Sequence, residues 1–150
     1  MDFGSLLISF SGRINRAKFW AAILIYVIIY VVLFVLALAL GQGTIMQILG
    51  VIIGILLFIS GIAVGIKRLH DRNKSGWWLL LFYIVPAILS GIGMVLTIYG
   101  ALGGGGGTGI LGLVLNLAAF AVSIWAFVEL GCLRGTVGAN PYGPDPLGGA

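Results

Sequence analysis

The chain has 150 residues, of which 61% are apolar and only 8% are charged. Soluble domains carry about 25% charged residues, and a single core of this size cannot bury so much apolar surface. Composition therefore excludes an ordinary water-soluble domain. The net charge is +4, from eight Lys and Arg against four Asp and Glu, and the mean hydropathy is +1.20. Cysteine adds nothing, because Cys132 is alone and cannot form an intrachain disulfide.

Four apolar segments are long enough to cross a bilayer, since about 30 Å of hydrocarbon needs about 20 helical residues. In chain order, the predicted spans are about 19–40, 44–66, 77–100 and 110–130. A tight turn at 41–43 separates the first two, a flexible glycine linker at 103–109 separates the last two, and a Gly- and Pro-rich tail covers 131–150. The predicted fold is a single all-α domain, 1–150. It is an integral membrane four-helix bundle with the N and C termini in the cytoplasm.

The basic residues give this threading its orientation. With four spans, all eight fall on one side of the membrane: Arg13, Arg16, Lys18, Lys67, Arg68, Arg72, Lys74 and Arg134. The positive-inside rule places that side in the cytoplasm. We therefore predict a multi-pass membrane protein whose basic face lies in the cytoplasm.

The second span contains a regular arrangement of glycines: Gly50, Gly54, Gly61 and Gly65. At about 100° per residue these positions share one narrow stripe. Stripes of small residues let membrane helices approach closely, so we predict a helix-packing face there.

The middle of every predicted span lacks ionisable residues, which ion-coupled transporters usually bury near the bilayer midplane. A small-solute transporter or channel component stays open as an alternative, because Pro86, Asn116 and Ser123 place polar groups in the third and fourth spans.

The central loop, "KRLHDRNKSGWW" at 67–78, holds the densest charge in the chain. Arg68 and Asp71 are three residues apart, a spacing that brings side chains together on a helix. One His and one Asp are too few ligands for a metal site, so we predict no metal and no cofactor. An enzyme that acts on a lipid-linked substrate through His70 and Asp71 is a weaker alternative, because His70 lacks a neighbouring nucleophile.

Three segments, "FSGRINRAKFW" (10–20), "KRLHDRNKSGWW" (67–78) and "GTVGANPYGPDP" (135–146), resemble the signature segments of a bacterial inner-membrane family catalogued as domain of unknown function 805. The resemblance runs from about Phe10 to Pro146 and implies a small multi-span plasma-membrane protein. It carries no established activity. The chain departs from the family at Pro141, where related tails often have a basic residue, and in its long glycine run.

The predicted topology puts these three segments on one face, where we expect them to form a clasp, meaning direct contacts among the segments. Asp71 or Asp145 would pair with Arg13, Arg16 or Arg68. The residues of this candidate clasp, or lipid or partner site, are Arg13, Arg16, Lys67, Arg68, His70, Asp71, Arg72, Lys74, Asn140, Tyr142 and Asp145. The predicted function is that of a non-enzymatic structural or accessory subunit. Its expected partners are anionic lipid headgroups, with a membrane protein complex or a homo-oligomer as the other options and nucleic acid excluded.

The topology makes a direct prediction for reporter fusions. A fusion near Gly105 should be active only outside the cytoplasm, and a fusion after Arg134 only inside it, because the charge asymmetry sets the orientation. A paired reporter assay, with one enzyme active in each compartment, measures both positions. Cytoplasmic activity at Gly105 would contradict the predicted threading.

Overall fold

A computed structural model describes residues 3–41 and 43–148, and every regular element within those ranges is helical. Five α-helices follow one another along the chain: α1 (Phe3–Ile8), α2 (Arg16–Leu40), α3 (Thr44–Asp71), α4 (Val85–Ala101) and α5 (Gly106–Phe127). A π-helical turn, Leu80–Ile84, precedes α4, and a second, Val128–Cys132, follows α5. The prediction of an all-α chain is confirmed.

Four of the helical stretches are long and apolar enough to cross a membrane: Arg16–Leu40, Thr44–Asp71, Leu80–Ala101 and Gly106–Cys132. At about 1.5 Å per residue, even the shortest reaches roughly 33 Å, more than the hydrocarbon thickness of about 30 Å. Most of their apolar side chains lie on the surface, as expected when lipid is the solvent. The prediction of four membrane-spanning helices is confirmed.

The structure differs from the sequence prediction in two places, the start of the last span and the segment ahead of the first span. The segment 103–109 is not a linker throughout, because α5 begins at Gly106, four residues earlier than expected. Close packing favours this early start, since a Cβ added at Gly100 would come within 2.6 Å of the backbone nitrogen of Gly109. The second correction is α1, a helix of 6 residues ahead of the first span, which is too short for hydrophobic periodicity to reveal.

The turn predicted at 41–43 includes Gln42, which lies outside the described residues. On its two sides, α2 ends at Leu40 and α3 begins at Thr44. The helix break between the first two spans is therefore where the sequence predicts it.

The chain divides into two compact units. The first consists of residues up to Gly76 together with the tail from Arg134, and the second is Trp77–Leu133. This division concerns packing within each unit, so the single-domain organisation stays a prediction.

In the first unit, side chains and backbone cap the helix ends that lead to the charged loop. Asn15 begins α2, and its side-chain oxygen accepts a bond of 3.0 Å from the backbone N–H of Lys18, the usual N-cap contact. At the end of α3, Asn73 has φ of 57° and donates to the His70 carbonyl at 3.0 Å, while the next N–H reaches the Leu69 carbonyl at 2.9 Å. This is a Schellman ending with Asn in the left-handed position. It fixes Asp71 in the last turn of α3.

In the second unit, small residues bring α4 and α5 close together. A Cβ added at Gly112 would lie 2.6 Å from both the Gly93 carbonyl and the Thr97 nitrogen, and one added at Gly93 would lie 2.9 Å from the Gly112 carbonyl. Backbone contact of this kind is how small residues stabilise helix pairs in membranes. The sequence interpretation did not identify this pair.

The predicted packing face of α3 lacks the close contacts that Gly93 and Gly112 make in the second unit. Gly65 is buried, whereas a Cβ added at Gly50, Gly54 or Gly61 would meet nothing within 4 Å. The described first unit therefore shows no close backbone contact at those three glycines. Their role in helix packing stays a prediction.

The close approach of α4 and α5 predicts a strong effect of Gly112→Ala. The added methyl group must displace backbone, and overpacking of this kind costs about 1–3 kcal/mol. Gly107→Ala, in the same helix with nothing within 4 Å, is the matched control and should be neutral or stabilising by up to about 1 kcal/mol. Unfolding of the two purified variants in detergent measures the difference, and equal stability would contradict the proposed packing.

Candidate functional site

The first unit brings three distant segments together around Asp71. Arg13 comes from the segment before α2, Arg68 and Asp71 from the last turn of α3, and Thr136 and Asn140 from the tail. We call these five residues the Asp71 cluster. Some of its hydrogen bonds join residues that are 130 positions apart in the sequence, such as Arg13 and Gly143. The cluster therefore connects segments near both ends of the chain to the central loop.

Asp71 forms two buried ion pairs, one with each neighbouring arginine. Its Oδ1 accepts from Arg13 Nη2 at 3.1 Å and from Nε at 3.3 Å, and its Oδ2 accepts from Arg68 Nη1 at 2.5 Å. The exposed fractions are 2% for Asp71, 5% for Arg13 and 0% for Arg68. Both oxygens of this buried carboxylate thus receive charge-assisted hydrogen bonds, which are shorter and stronger than neutral ones. The arrangement is a buried charge cluster in which arginines engage both carboxylate oxygens.

Arg13 uses all of its hydrogen-bond donors within the protein. Nε and one N–H of Nη2 reach Asp71, and the other N–H of Nη2 reaches the Thr136 carbonyl at 2.6 Å. Nη1 donates to the carbonyls of Gly138 at 2.7 Å and Gly143 at 3.1 Å. A guanidinium has five N–H groups in a fixed planar arrangement, and these contacts account for all five. Arg13 has no donor left for a ligand.

The tail is held in place by a small network of side chains and backbone. Thr136 donates its N–H to the Asp71 carbonyl at 2.8 Å, and its hydroxyl lies 3.1 Å from the same oxygen. The Asn140 amide donates to the His70 carbonyl and to the Thr136 hydroxyl, both at 2.9 Å, while its own carbonyl accepts from the Tyr142 N–H at 2.9 Å. The polar atoms of Asn140 therefore both dock the tail and shape its turn.

His70 lies between the N-terminal segment and the tail. The Tyr142 ring stacks on its imidazole at 4.0 Å between centroids and 6° between planes. Its Nδ1 lies 3.2 Å from the Gly12 carbonyl, and because a carbonyl only accepts, this hydrogen bond requires the proton on Nδ1. One imidazole nitrogen and one ring face thus have structural partners, so this environment favours packing over catalysis.

Gly135 permits the closest approach between the tail and Asp71. A Cβ added there would overlap the Asp71 carboxyl group, with its Oδ1 only 2.6 Å away. Only glycine fits at this position unless the carboxylate moves.

The side chain of Asp145 shapes the tail by accepting hydrogen bonds from backbone N–H groups of the tail. Its Oδ1 accepts from the Leu147 N–H and its Oδ2 from the Gly138 N–H, both at 2.9 Å. These two bonds hold the pKa of the Asp145 carboxyl below its usual value, because they favour the ionised form. The ion pairs expected of Asp71 or Asp145 are formed at Asp71.

The remaining predicted site residues have other positions. Lys67, fully buried, donates to carbonyls of α1 rather than to the tail. Arg72 donates to the Arg134 carbonyl at 2.5 Å. Arg16 is exposed at the start of α2 and lines a cavity beside Asp71, and Lys74 is half-buried just after α3.

That cavity is small and mixed in charge. Its volume of about 10 Å³ is roughly what one water molecule needs. Two arginines and two carboxylates line it together with four uncharged residues. The lining residues are Asn15, Arg16, Asp71, Arg134, Gly135, Thr136, Asp145 and Leu147. Within residues 3–41 and 43–148, no three His, Cys, Asp or Glu side chains gather as a metal site. The cavity does not have the size of a substrate pocket.

Several important residues escaped the sequence interpretation. Thr136 is one, and the carbonyls of Gly138 and Gly143 that bind Arg13 are others. The available signal was the presence of glycines in the tail. Gly138 has φ of 79° and Gly143 has φ of 138°, and glycine adopts such positive φ values readily.

Comparisons with known proteins give one family model and several relatives. The family model described as protein of unknown function (DUF805) matches residues 7–144. The inner membrane protein YhaH of Escherichia coli K12 is 33% identical over 141 residues, covering 93% of this chain and 88% of YhaH. The inner membrane protein YhaI is 29% identical over 143 residues, with 95% and 90% covered. The uncharacterized protein YiiR is 32% identical over 146 residues, with 97% and 90% covered. No solved structure matches the chain significantly.

The Asp71 cluster predicts strong coupling between Arg13 and Asp71. Asp71→Ala leaves Arg13 and Arg68 buried without their carboxylate, and the loss of a partner from a buried ion pair costs about 3–5 kcal/mol. Arg13→Ala should also destabilise, because it removes the donors of the tail carbonyls, although Asp71 keeps Arg68 as a partner. The double variant should be destabilised by less than the sum of the two, because no unpaired Arg13 remains in it. A double-mutant cycle of unfolding free energies in detergent measures the coupling. Additive losses would contradict the cluster.

Proposed function

The chain belongs to the family described as protein of unknown function (DUF805), and its relatives YhaH and YhaI are named inner membrane proteins. We propose that it is a non-enzymatic membrane protein that binds anionic lipid headgroups. The Asp71 cluster acts as a structural clasp, and the exposed basic residues around it contact the headgroups. The observation that carries this division of roles is that the protein itself satisfies every donor of Arg13.

Saturation of Arg13 separates a structural core from a binding surface. A headgroup phosphate would have to displace Asp71 or several backbone carbonyls from the guanidinium, and each displaced buried acceptor would lose about 1–3 kcal/mol. The buried cluster therefore favours internal stability over ligand binding. Any lipid must be bound by basic residues outside it.

Basic side chains nearer the surface supply that attraction. Arg16 and Arg134 are exposed and Lys18 is half-buried. Each basic residue near an anionic membrane surface contributes about 1 kcal/mol of attraction. Together, these three support a preference of more than tenfold for anionic over neutral headgroups.

Transport is the less favoured alternative. Polar side chains of the second unit bond to their own helices: Thr97 to the Gly93 carbonyl at 2.8 Å, Asn116 to Gly112 at 2.9 Å and Ser123 to Ala119 at 2.9 Å. Side chains satisfied in this way tolerate lipid or a packed helix and need no aqueous path.

An enzyme on a lipid-linked substrate is also less favoured. His70 has Tyr142 on one ring face and Gly12 at Nδ1, and both Asp71 oxygens are engaged by arginines. These contacts leave neither residue poised for acid-base catalysis, which requires reach to a substrate proton.

Lipid analysis of the purified protein tests the proposal. The triple variant Arg16→Gln, Lys18→Gln, Arg134→Gln should lose most of its enrichment in co-purified phosphatidylglycerol relative to phosphatidylethanolamine, measured by mass spectrometry after mild detergent extraction. The control, Arg16→Lys, Lys18→Arg, Arg134→Lys, keeps the charge and should keep the enrichment.

Unfolding in detergent verifies that both triple variants keep the fold. Unchanged phosphatidylglycerol enrichment in the glutamine variant would overturn the proposal. A protein subunit that co-purifies with the parent but not with that variant would instead assign the basic surface to a protein partner.

A further inference from the structure

The short helix α1 has an unusual set of partners at its C-terminal end. The last four carbonyls of an α-helix have no acceptor role within the helix. In α1, Lys67 Nζ donates to the carbonyls of Ser5, at 2.7 Å, and Leu6, and Ser60 Oγ donates to that of Leu7 at 2.8 Å. Side chains of α3 therefore satisfy three of the four carbonyls.

The position of Ser60 along α3 gives the depth of this contact. Ser60 lies eleven residues before Asp71, about 16 Å along the helix axis. The 28 residues of α3 measure about 42 Å, which exceeds a hydrocarbon core of about 30 Å by roughly 12 Å. Even if the whole excess projected at the Asp71 end, Ser60 would lie about 4 Å inside the hydrocarbon.

The neighbouring helix gives the same depth. The Tyr26 hydroxyl lies 2.7 Å from Ser60 Oγ, and Tyr26 follows Arg16, the first residue of α2, by ten residues, or about 15 Å. Both helices thus place the C-terminal end of α1 well below Asp71 and Arg16.

The chemistry of the contacts fits a site without water. In water, carbonyls at a helix end are hydrated and a lysine ammonium stays exposed, whereas Lys67 is 0% exposed. In hydrocarbon, an unsatisfied carbonyl costs several kcal/mol, so irregular backbone at that depth needs protein donors. Meanwhile, Ile8 is 73% exposed, which suits contact with acyl chains.

We propose that α1 is a re-entrant helix embedded in the leaflet next to the Asp71 cluster, with Ile8 against lipid acyl chains. Lys67 and Ser60 replace the water that would otherwise hydrate the end of α1. In this arrangement α1 lies within the leaflet, the chain turns beside Ser60, and it returns to the surface at Gly12, whose carbonyl lies next to His70. The inference does not depend on whether the surface cations select anionic lipid.

Spin-label accessibility tests the depth of α1. In a Cys132→Ser background, Ile8→Cys carries a nitroxide, and the full chain is reconstituted in vesicles of phosphatidylethanolamine and phosphatidylglycerol. Leu24→Cys, 60% exposed within α2, is the lipid control, and Val137→Cys, 75% exposed in the tail, is the water control. The Ile8 label should collide with oxygen more than with a water-soluble nickel chelate, as at Leu24. A Val137-like ratio would overturn the proposal.

Replacing Lys67 tests whether its hydrogen bonds to the end of α1 keep that helix in the leaflet. Lys67→Met leaves the Ser5 and Leu6 carbonyls without their ammonium partner, so α1 should move toward water and nickel accessibility at Ile8 should rise severalfold. Lys74→Met removes a cation just after α3, outside the proposed headgroup surface, and should leave the Ile8 label unchanged. The Leu24 label reports whether the spans still insert. If they do not, Ser60→Ala serves as the milder variant, and no change at Ile8 in an inserted variant would reject the capping role.

Discussion

The structure of the first unit depends on one carboxylate. Asp71 is the only buried acid of that unit within the described residues, and it lies between two buried arginines. Buried charges are tolerated only when partners and hydrogen bonds compensate for lost hydration. The positions of Arg13, Arg68, the Gly135 backbone and Thr136 all follow from that requirement. The tail is therefore ordered by electrostatic compensation, and not by an apolar core of its own.

The need to compensate buried charge also distinguishes the buried basic residues from the exposed ones. A cation that is fully bonded inside the protein gives the surface little besides a long-range field, which ions screen over about 8 Å at physiological ionic strength. Exposed cations such as Arg134 differ from Arg13 in that their side chains reach the surface. Counting basic residues in a loop thus overestimates its capacity for ligands, since the buried ones already have acceptors.

Much of this architecture can be predicted from the sequence. Hydropathy predicts the four spans, and the three-residue spacing of Arg68 and Asp71 predicts their contact, because both depend on local periodicity. The sequence could not predict which carbonyls bind Arg13, since that depends on turn conformations at Gly138 and Gly143. It also missed α1, whose six residues carry too little periodicity, and it directed attention to the α3 glycines, whereas the close contact in the second unit involves Gly93 and Gly112.

Arg13 and Lys67 both supply hydrogen-bond donors to backbone carbonyls that regular secondary structure leaves without a partner. Each is a buried cation that donates to backbone carbonyls of an irregular segment, Arg13 in the tail and Lys67 at the end of α1. Where water is scarce, a carbonyl needs a donor from the protein, and a long basic side chain can reach several at once. Charge near the ends of membrane helices is commonly interpreted as a topology signal. In this chain, Arg13 and Lys67 also complete the hydrogen bonding of the backbone, so replacing them by apolar residues would damage the fold even if the orientation were preserved.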